Sequence, residues 1–158
     1  MGKNILITGS KGFIGTHLAN FLIGRGYNVE NYNNDIKEKL KLSYNPDIII
    51  HLAAKVKGID YNELKMVNFN GTLNILEFCK DKNIKIIFSS TIGVYGKPIY
   101  LPINENHPTR PINPYAKSKL EAENLCKEIS DKYNLEIIIL RLANVYGYGQ
   151  KLGFLFAD

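Results

Sequence analysis

Four short, almost wholly apolar runs and a fifth, more polar one, each closed by turn residues and separated by helical stretches, constrain this chain more than any other feature. They are Asn4-Ile5-Leu6-Ile7-Thr8, Tyr27 to Tyr32, Asp47-Ile48-Ile49-Ile50-His51-Leu52, Ile84-Lys85-Ile86-Ile87-Phe88 and Leu135 to Leu140. A strand with apolar residues at every position is buried on both faces, as in a parallel sheet between two layers of helices. Right-handed crossovers then predict an α/β, doubly wound parallel sheet, a Rossmann fold. The second run is the poorest, with Val29 its only aliphatic residue, which suits a position toward an edge.

The intervening segments read as helices over Gly12 to Ile23, Ile36 to Tyr44, Asn62 to Lys80 and Pro114 to Tyr133. Gly24 and Gly26 stop the first, and Pro46 follows the second. The stretch between Tyr32 and Asp47 is too short for a full helix and a full strand. A third strand of the usual fold is therefore a stub near Asn34-Asp35-Ile36 or is absent. Pro98 to Pro114 is a loop. No internal repeat or low-complexity segment is evident.

At 158 residues the chain is one domain with room for a proper core. Its net charge of +5 suits an anionic ligand, although most of that charge reads as solvated surface lysine. No run of like charge and no basic–aromatic stripe points to nucleic acid. No apolar stretch is long enough to span a bilayer. The first strand begins at Lys3, which leaves no room for a signal peptide, and Leu6 occupies the position a myristoylation motif reserves for Ser or Thr. Cys79 and Cys126 lack metal-ligand spacing and read as reduced residues in or near the core, so no metal is expected. A cytoplasmic protein is the expectation.

Three glycines follow the first strand and open the first helix: Gly9-Ser10-Lys11-Gly12-Phe13-Ile14-Gly15. Gly9 permits a tight turn, Gly12 lets backbone approach a pyrophosphate, and Gly15 allows the helix to pack closely on the sheet. The helix start adds free N–H groups and a positive dipole end. The position that selects a ribose 2′-hydroxyl, at the end of the second strand, is Asn33, a neutral side chain. Lys11 could hold a 2′-phosphate or be a solvated loop lysine, so NAD is the expected cofactor with NADP left open. Asp35 could accept from the adenine amine and Ile36 pack beneath its ring.

Tyr115 and Lys119, four residues apart, share one face of the last helix. An ammonium there can lower the pKa of the phenol and make it a base toward an alcohol. Alone this spacing is a common helix-surface arrangement.

Taken together, Gly9-x-x-Gly12-x-x-Gly15, His51-Leu52-Ala53-Ala54, Asn68-Phe69-Asn70-Gly71-Thr72, Phe88-Ser89-Ser90-Thr91 with Val94-Tyr95-Gly96, Asn113-Pro114-Tyr115-x-x-x-Lys119 and Arg141-Leu142-Ala143-Asn144-Val145-Tyr146-Gly147 resemble the extended short-chain dehydrogenase/reductase superfamily, and within it the nucleotide-sugar epimerases and dehydratases. The resemblance runs from Lys3 to about Gln150. It implies Tyr115 as general base and Lys119 as the residue that holds the nicotinamide ribose and depresses the tyrosine pKa. Thr91 would hydrogen-bond the reacting hydroxyl, with a strand-end cap as its plain structural role. Gly9, Lys11, Gly12, Phe13, Ile14, Gly15, Asn33, Asp35, Ile36, Leu52, Ala53, Ala54, Ser89, Tyr115 and Lys119 would surround the dinucleotide. Asn68 would orient backbone near the site, and Thr91 and Asn144 would meet a nucleotide-sugar. His51, Tyr95 and Tyr146 read as structural or wall residues.

Two departures narrow the reading. The 4,6-dehydratases carry an Asp-Glu pair after the Thr, where this chain has Ile92 and Gly93, which cannot move protons. The segment between Ala54 and Asn68 is shorter than is usual in the superfamily. An epimerase is expected first, a reductase making a deoxysugar second, and a non-catalytic dinucleotide-binding module third. The family adds a smaller C-terminal substrate domain, so residues 1–158 are expected to be the dinucleotide-binding domain, truncated before it at the apolar Leu155-Phe156-Ala157-Asp158. A homodimer through helices 62–80 and 114–133 is what the resemblance implies for assembly.

Overall fold

The structure, a computed structural model, describes residues 2–58 and 60–150. The terminal apolar cluster lies outside the described residues. Five parallel strands form one sheet in the order β2-β1-β3-β4-β5: β1 Asn4–Thr8, β2 Asn28–Tyr32, β3 Ile48–His51, β4 Lys85–Thr91 and β5 Ile137–Leu142. The third strand of the usual fold is absent, and β3 pairs directly with β1.

Register explains the two cores. Leu6, Ile49, Ile86 and Ile137 align across neighbouring strands and point to one face, where α3 (Gly71–Cys79) and α4 (Pro114–Tyr133) cover them. Ile7, Ile50, Ile87 and Ile138 form the adjacent row on the other face, under α1 (Phe13–Gly24). That second row is covered at β1 and β3 but open at β5, where Ile138 and Leu140 are 42% and 43% exposed. Cover on both faces, expected from the apolar strands, therefore stops at β4 on the α1 side.

The helix expected over Ile36 to Tyr44 is a turn followed by irregular chain. The Asp35 carboxylate accepts from Lys37 N at 2.9 Å, and Glu38 N donates to Asp35 O at 3.1 Å. This local hydrogen bonding competes with a helix. Ile36 and Leu40 are both buried in the core from this segment.

The expected helix 62–80 is three pieces: α2 (Tyr61–Lys65), a π-helical turn (Met66–Asn70) and α3 (Gly71–Cys79). Asp60 caps its start, accepting from Asn62 N at 2.9 Å. β4 runs three residues past Phe88, since neighbours satisfy the buried hydroxyls; Ser89 Oγ donates to His51 O at 2.9 Å. A short 3-10 turn (Ile92–Tyr95) follows. Helix α4 (Pro114–Tyr133) begins where expected: Asn113 caps it through Ala116 N at 2.8 Å, Pro114 takes the first turn, and Asn134 ends it at φ 53°. Cys79 and Cys126 are buried free thiols. No described helix is long and apolar enough to cross a membrane.

Candidate functional site

The chain reverses its winding between β1 and β3, the place where open α/β sheets form a crevice at the carboxyl ends of their strands. A cleft of about 750 Å³ opens there. Segments leaving β1, β3, β4 and β5 line it, together with the start of α4. Of the residues expected at a site, it gathers Gly9, Lys11, Gly12, Phe13, Ile14, Gly15, Leu52, Ala54, Ser89, Thr91, Tyr115 and Asn144.

The glycine loop is shaped by contacts that a side chain would break. Gly9 has φ +72°, and a Cβ on it would lie 2.6 Å from Ala53 N. A Cβ on Gly15 would lie 2.3 Å from Gly9 O and 2.6 Å from Ser10 Cα, so Gly15 packs on the loop backbone rather than on the sheet. A Cβ on Gly12 meets only Gly9 O, at 3.1 Å, and otherwise points into open space. The first amides of α1 have no side-chain cap and face the cleft as anion donors. Ser10 Oγ, in the same loop, is buried without a hydrogen-bond partner among the described residues. The residues present therefore fit a pyrophosphate.

Tyr115 and Thr91 both line the cleft. Thr91 Oγ1 accepts from Gly93 N at 3.1 Å, which caps the 3-10 turn and leaves the hydroxyl proton to donate. Burial pushes the Tyr115 phenol above its ordinary value, opposite to the lowering expected from Lys119. Lys119 is itself buried behind the cleft wall. Its Nζ has no hydrogen-bond partner among the described residues and stands 4.1 Å from the centre of the Phe88 ring. Burial carries its pKa down to about 7, opposed in part by Cys126 and Glu123. Both groups are thus held toward their neutral forms by the same desolvation.

Four expected residues lie elsewhere. Ala53 supports Gly9 and packs against the core instead of lining the cleft. Ile36 is buried against Gly71, and its carbonyl accepts from Asn74 Nδ2 at 2.9 Å. The Asp35 carboxylate is engaged by Lys37 N and, at 3.1 Å, by Lys37 Nζ. Asn33 borders a separate small cavity beside β2. Tyr146 is exposed, and it is Tyr148 that reaches the cleft, its carbonyl accepting from His17 Nε2 at 2.9 Å.

Two supporting networks hold this geometry. Asn68 Oδ1 accepts from Lys55 N at 2.8 Å, while Nδ2 donates to Lys55 O and Ser118 Oγ, each at 2.9 Å. Asn68 therefore ties the β3 exit to α4 one turn from Tyr115, as expected of a residue that orients backbone. The π turn aims it inward. His51 bridges Thr8 Oγ1 (2.7 Å) and Thr72 Oγ1 (3.1 Å). Thr72 donates its proton to Asn68 O at 2.6 Å, so His51 Nε2 carries the hydrogen and Nδ1 accepts from Thr8. The second network escaped sequence reasoning: Glu123, one turn beyond Lys119, is fully buried against Ser90 and Arg141.

His51 makes a pH prediction. Burial first, and Lys119 second, lower its pKa from 6.5 to about 3. The unfolded chain then binds one more proton between those values, so this contribution is complete above pH 6.5 and is lost as pH falls toward 3. Urea unfolding between pH 7.5 and 4.5 is expected to show a wild-type stability loss exceeding that of His51→Gln by up to about 1.4 kcal/mol per pH unit. The same pH dependence in both proteins would contradict the buried neutral imidazole. Lys119 acts in a different window, from about 7 to 10.5.

A family model described as NAD dependent epimerase/dehydratase matches residues 5–155. UDP-glucose 4-epimerase of Halalkalibacterium halodurans is 32% identical over 173 residues, covering 90% of this chain and 51% of that protein. The chain spans about half the length of the curated relatives it matches. Since 90% of 158 residues is about 142, about 31 of those 173 aligned positions lack a counterpart here. UDP-glucuronic acid 4-epimerase from Bacillus cereus, solved in complex with NAD, superposes with a TM-score of 0.83 at 29% identity over 91% of this chain and 57% of that one. RMD from Pseudomonas aeruginosa, complexed with NADPH, superposes with a TM-score of 0.87 at 30% identity over 96% of this chain and 57% of that one.

Proposed function

This chain belongs to the NAD-dependent epimerase/dehydratase family, and on that premise we propose that it supplies the dinucleotide-binding and proton-transfer portion of an NAD-dependent nucleotide-sugar epimerase. The observation that carries the reading is a single cleft lined both by the glycine loop and by Thr91 with Tyr115. Residues 1–158 are in this reading the dinucleotide-binding domain.

The first amides of α1 and the open backbone at Gly12 hold the pyrophosphate, and Lys119, whose Nζ is buried here outside the cleft lining, is the residue assigned to the nicotinamide ribose. When bound, NAD supplies the hydride acceptor. The chain's own residues move the proton. Thr91 donates its hydroxyl hydrogen to the sugar oxygen and orients it. Tyr115, as phenolate, takes the proton from that sugar hydroxyl. Lys119, on the same helix face, is assigned the ammonium that favours the phenolate, against the desolvation that holds both groups toward their neutral forms in this structure. Re-reduction on the other face of the oxidised sugar returns the same proton from Tyr115. Ile92 and Gly93 offer no acid or base for eliminating water, so the sugar leaves with its oxygens intact. Asn144, on the β5 exit, faces the nucleotide-sugar. Two copies pair through helices 62–80 and 114–133, where Phe69, Leu73 and Leu120 are only partly buried.

The test is chromatographic separation of UDP-hexose epimers after incubation with NAD⁺ and either UDP-glucose or UDP-glucuronic acid. Conversion is expected, and Tyr115→Phe is expected to lower it about 10²- to 10⁴-fold with NAD⁺ binding retained. Absence of conversion with NAD⁺ bound would favour a non-catalytic dinucleotide-binding module. Net reduction of the sugar by NADH would favour a reductase.

A further inference from the structure

We propose that Phe88 is a positioning residue for this chemistry: its ring face holds the Lys119 ammonium behind the cleft wall and leaves the N–H donors of that ammonium uncommitted. The proposal rests on the role given to Lys119 above. Lys119 Nζ stands 4.1 Å over the centre of the Phe88 ring, and both side chains are buried. Phe88 directly precedes Ser89, and Lys119 lies one helical turn beyond Tyr115; Ser89 and Tyr115 both line the cleft. Ring and ammonium are thus one step behind two residues of the cleft wall.

A buried charge needs a partner, and the groups around Lys119 do not supply an ion pair. Glu123, one turn further along α4, is the nearby carboxylate, but it accepts from Arg141 Nε and Nη2 and from Ser90 Oγ. Lys119 makes no ion pair among the described residues. Burial pushes the Cys126 thiol up to about 12 and raises the Tyr115 phenol, so neither offers an anion at neutral pH. His51, on β3, packs against the same ring at 5.8 Å between centres, and burial keeps it neutral. Asn68 Nδ2 donates to Ser118 Oγ, which donates in turn to Tyr115 O. What remains is the negative face of the Phe88 ring, which attracts an ammonium most strongly where water is excluded. Desolvation drives Lys119 toward the amine, and the ring face opposes it.

The kind of partner matters chemically. A carboxylate would engage particular N–H groups and hold them. A ring face attracts the charge as a whole, so the N–H groups stay available to a ribose hydroxyl.

Replacing Phe88 site-specifically with its mono-, di- and trifluorinated analogues tests this, because fluorine drains the ring face of electron density while nearly preserving its shape. The readout is the Lys119 ε-carbon resonance titrated with pH, identified by its absence from Lys119→Met. The Lys119 pKa is expected to fall with each fluorine, by about 1 over the series, and Phe88→Leu is expected to lower it at least as far. At pH 7 that change reduces the ammonium about fivefold, and NAD⁺ affinity measured by calorimetry is expected to fall with it. A ring that only filled space would leave the titration unmoved by fluorine. A Lys119 pKa independent of fluorine count overturns the proposal, as does a falling pKa with constant NAD⁺ affinity. Absence of NAD⁺ binding to the wild type overturns the dinucleotide reading and the positioning role with it, while the titration still decides whether the ring holds the ammonium.

Discussion

Replacing Glu123 with Ala is expected to lower the unfolding free energy by about 3–5 kcal/mol, the cost of leaving a largely buried guanidinium without its partner. Small domains are stable by only about 5–15 kcal/mol in all, so this single change approaches global unfolding. The geometry explains the size. The Glu123 carboxylate is fully buried and accepts from Arg141 Nε at 3.1 and 3.2 Å and from Nη2 at 2.8 Å, while Ser90 Oγ donates to it as well. Arg141 also donates to Tyr95 Oη at 2.9 Å and to Glu105 O at 3.2 Å. One ion pair therefore joins α4, β4, β5, the 3-10 turn and the proline-rich loop. Those same elements carry Thr91, Tyr115 and Asn144. Desolvation makes the pair costly to break but not costly to replace. The double variant Glu123→Leu/Arg141→Met is expected to recover more than half of the loss in urea unfolding. A loss below about 1 kcal/mol in the single variant would show that water reaches the pair.

Gly15→Ala is expected to abolish saturable NAD⁺ binding and to cost about 1–3 kcal/mol of stability. Its added methyl would lie 2.3 Å from Gly9 O, 2.6 Å from Ser10 Cα and 2.9 Å from Gly9 C, all backbone atoms that no rotamer change can move. The loop must shift as a unit, and with it the Gly12 face that meets the pyrophosphate. Gly24→Ala is the internal control. A methyl there meets nothing within 4 Å, so the same substitution is expected to stabilise by about 0.4–1 kcal/mol and to leave binding intact. Equal effects at the two positions would remove the steric account of the cradle.

These two sites differ in how far the sequence discloses them. The glycine loop is legible because its constraints are local: a strand, a tight turn and a helix start within twelve residues. The α4 start is legible for the same reason, with Asn113 and Pro114 marking it. The Glu123–Arg141 pair is not, because its partners lie 18 residues apart and meet only once α4 packs on the sheet. The π turn leaves no apolar signature, since it changes hydrogen-bond register rather than residue periodicity. The expected Ile36 to Tyr44 helix gives way to a turn capped by Asp35, from which Ile36 and Leu40 are buried all the same. The short connection before Asp47 did disclose the missing strand, as a matter of length alone. Lys119 was expected to lower the Tyr115 pKa; burial of both groups reverses the direction, and burial is a property of packing, not of spacing.

The most direct test of the central claim, that this chain forms a dinucleotide cradle, is calorimetric titration of NAD⁺ into the wild-type chain beside Gly15→Ala. The account predicts one saturable site per chain in the wild type and none in the variant. No saturable binding to the wild type at millimolar NAD⁺, or equal binding to both proteins, would contradict it.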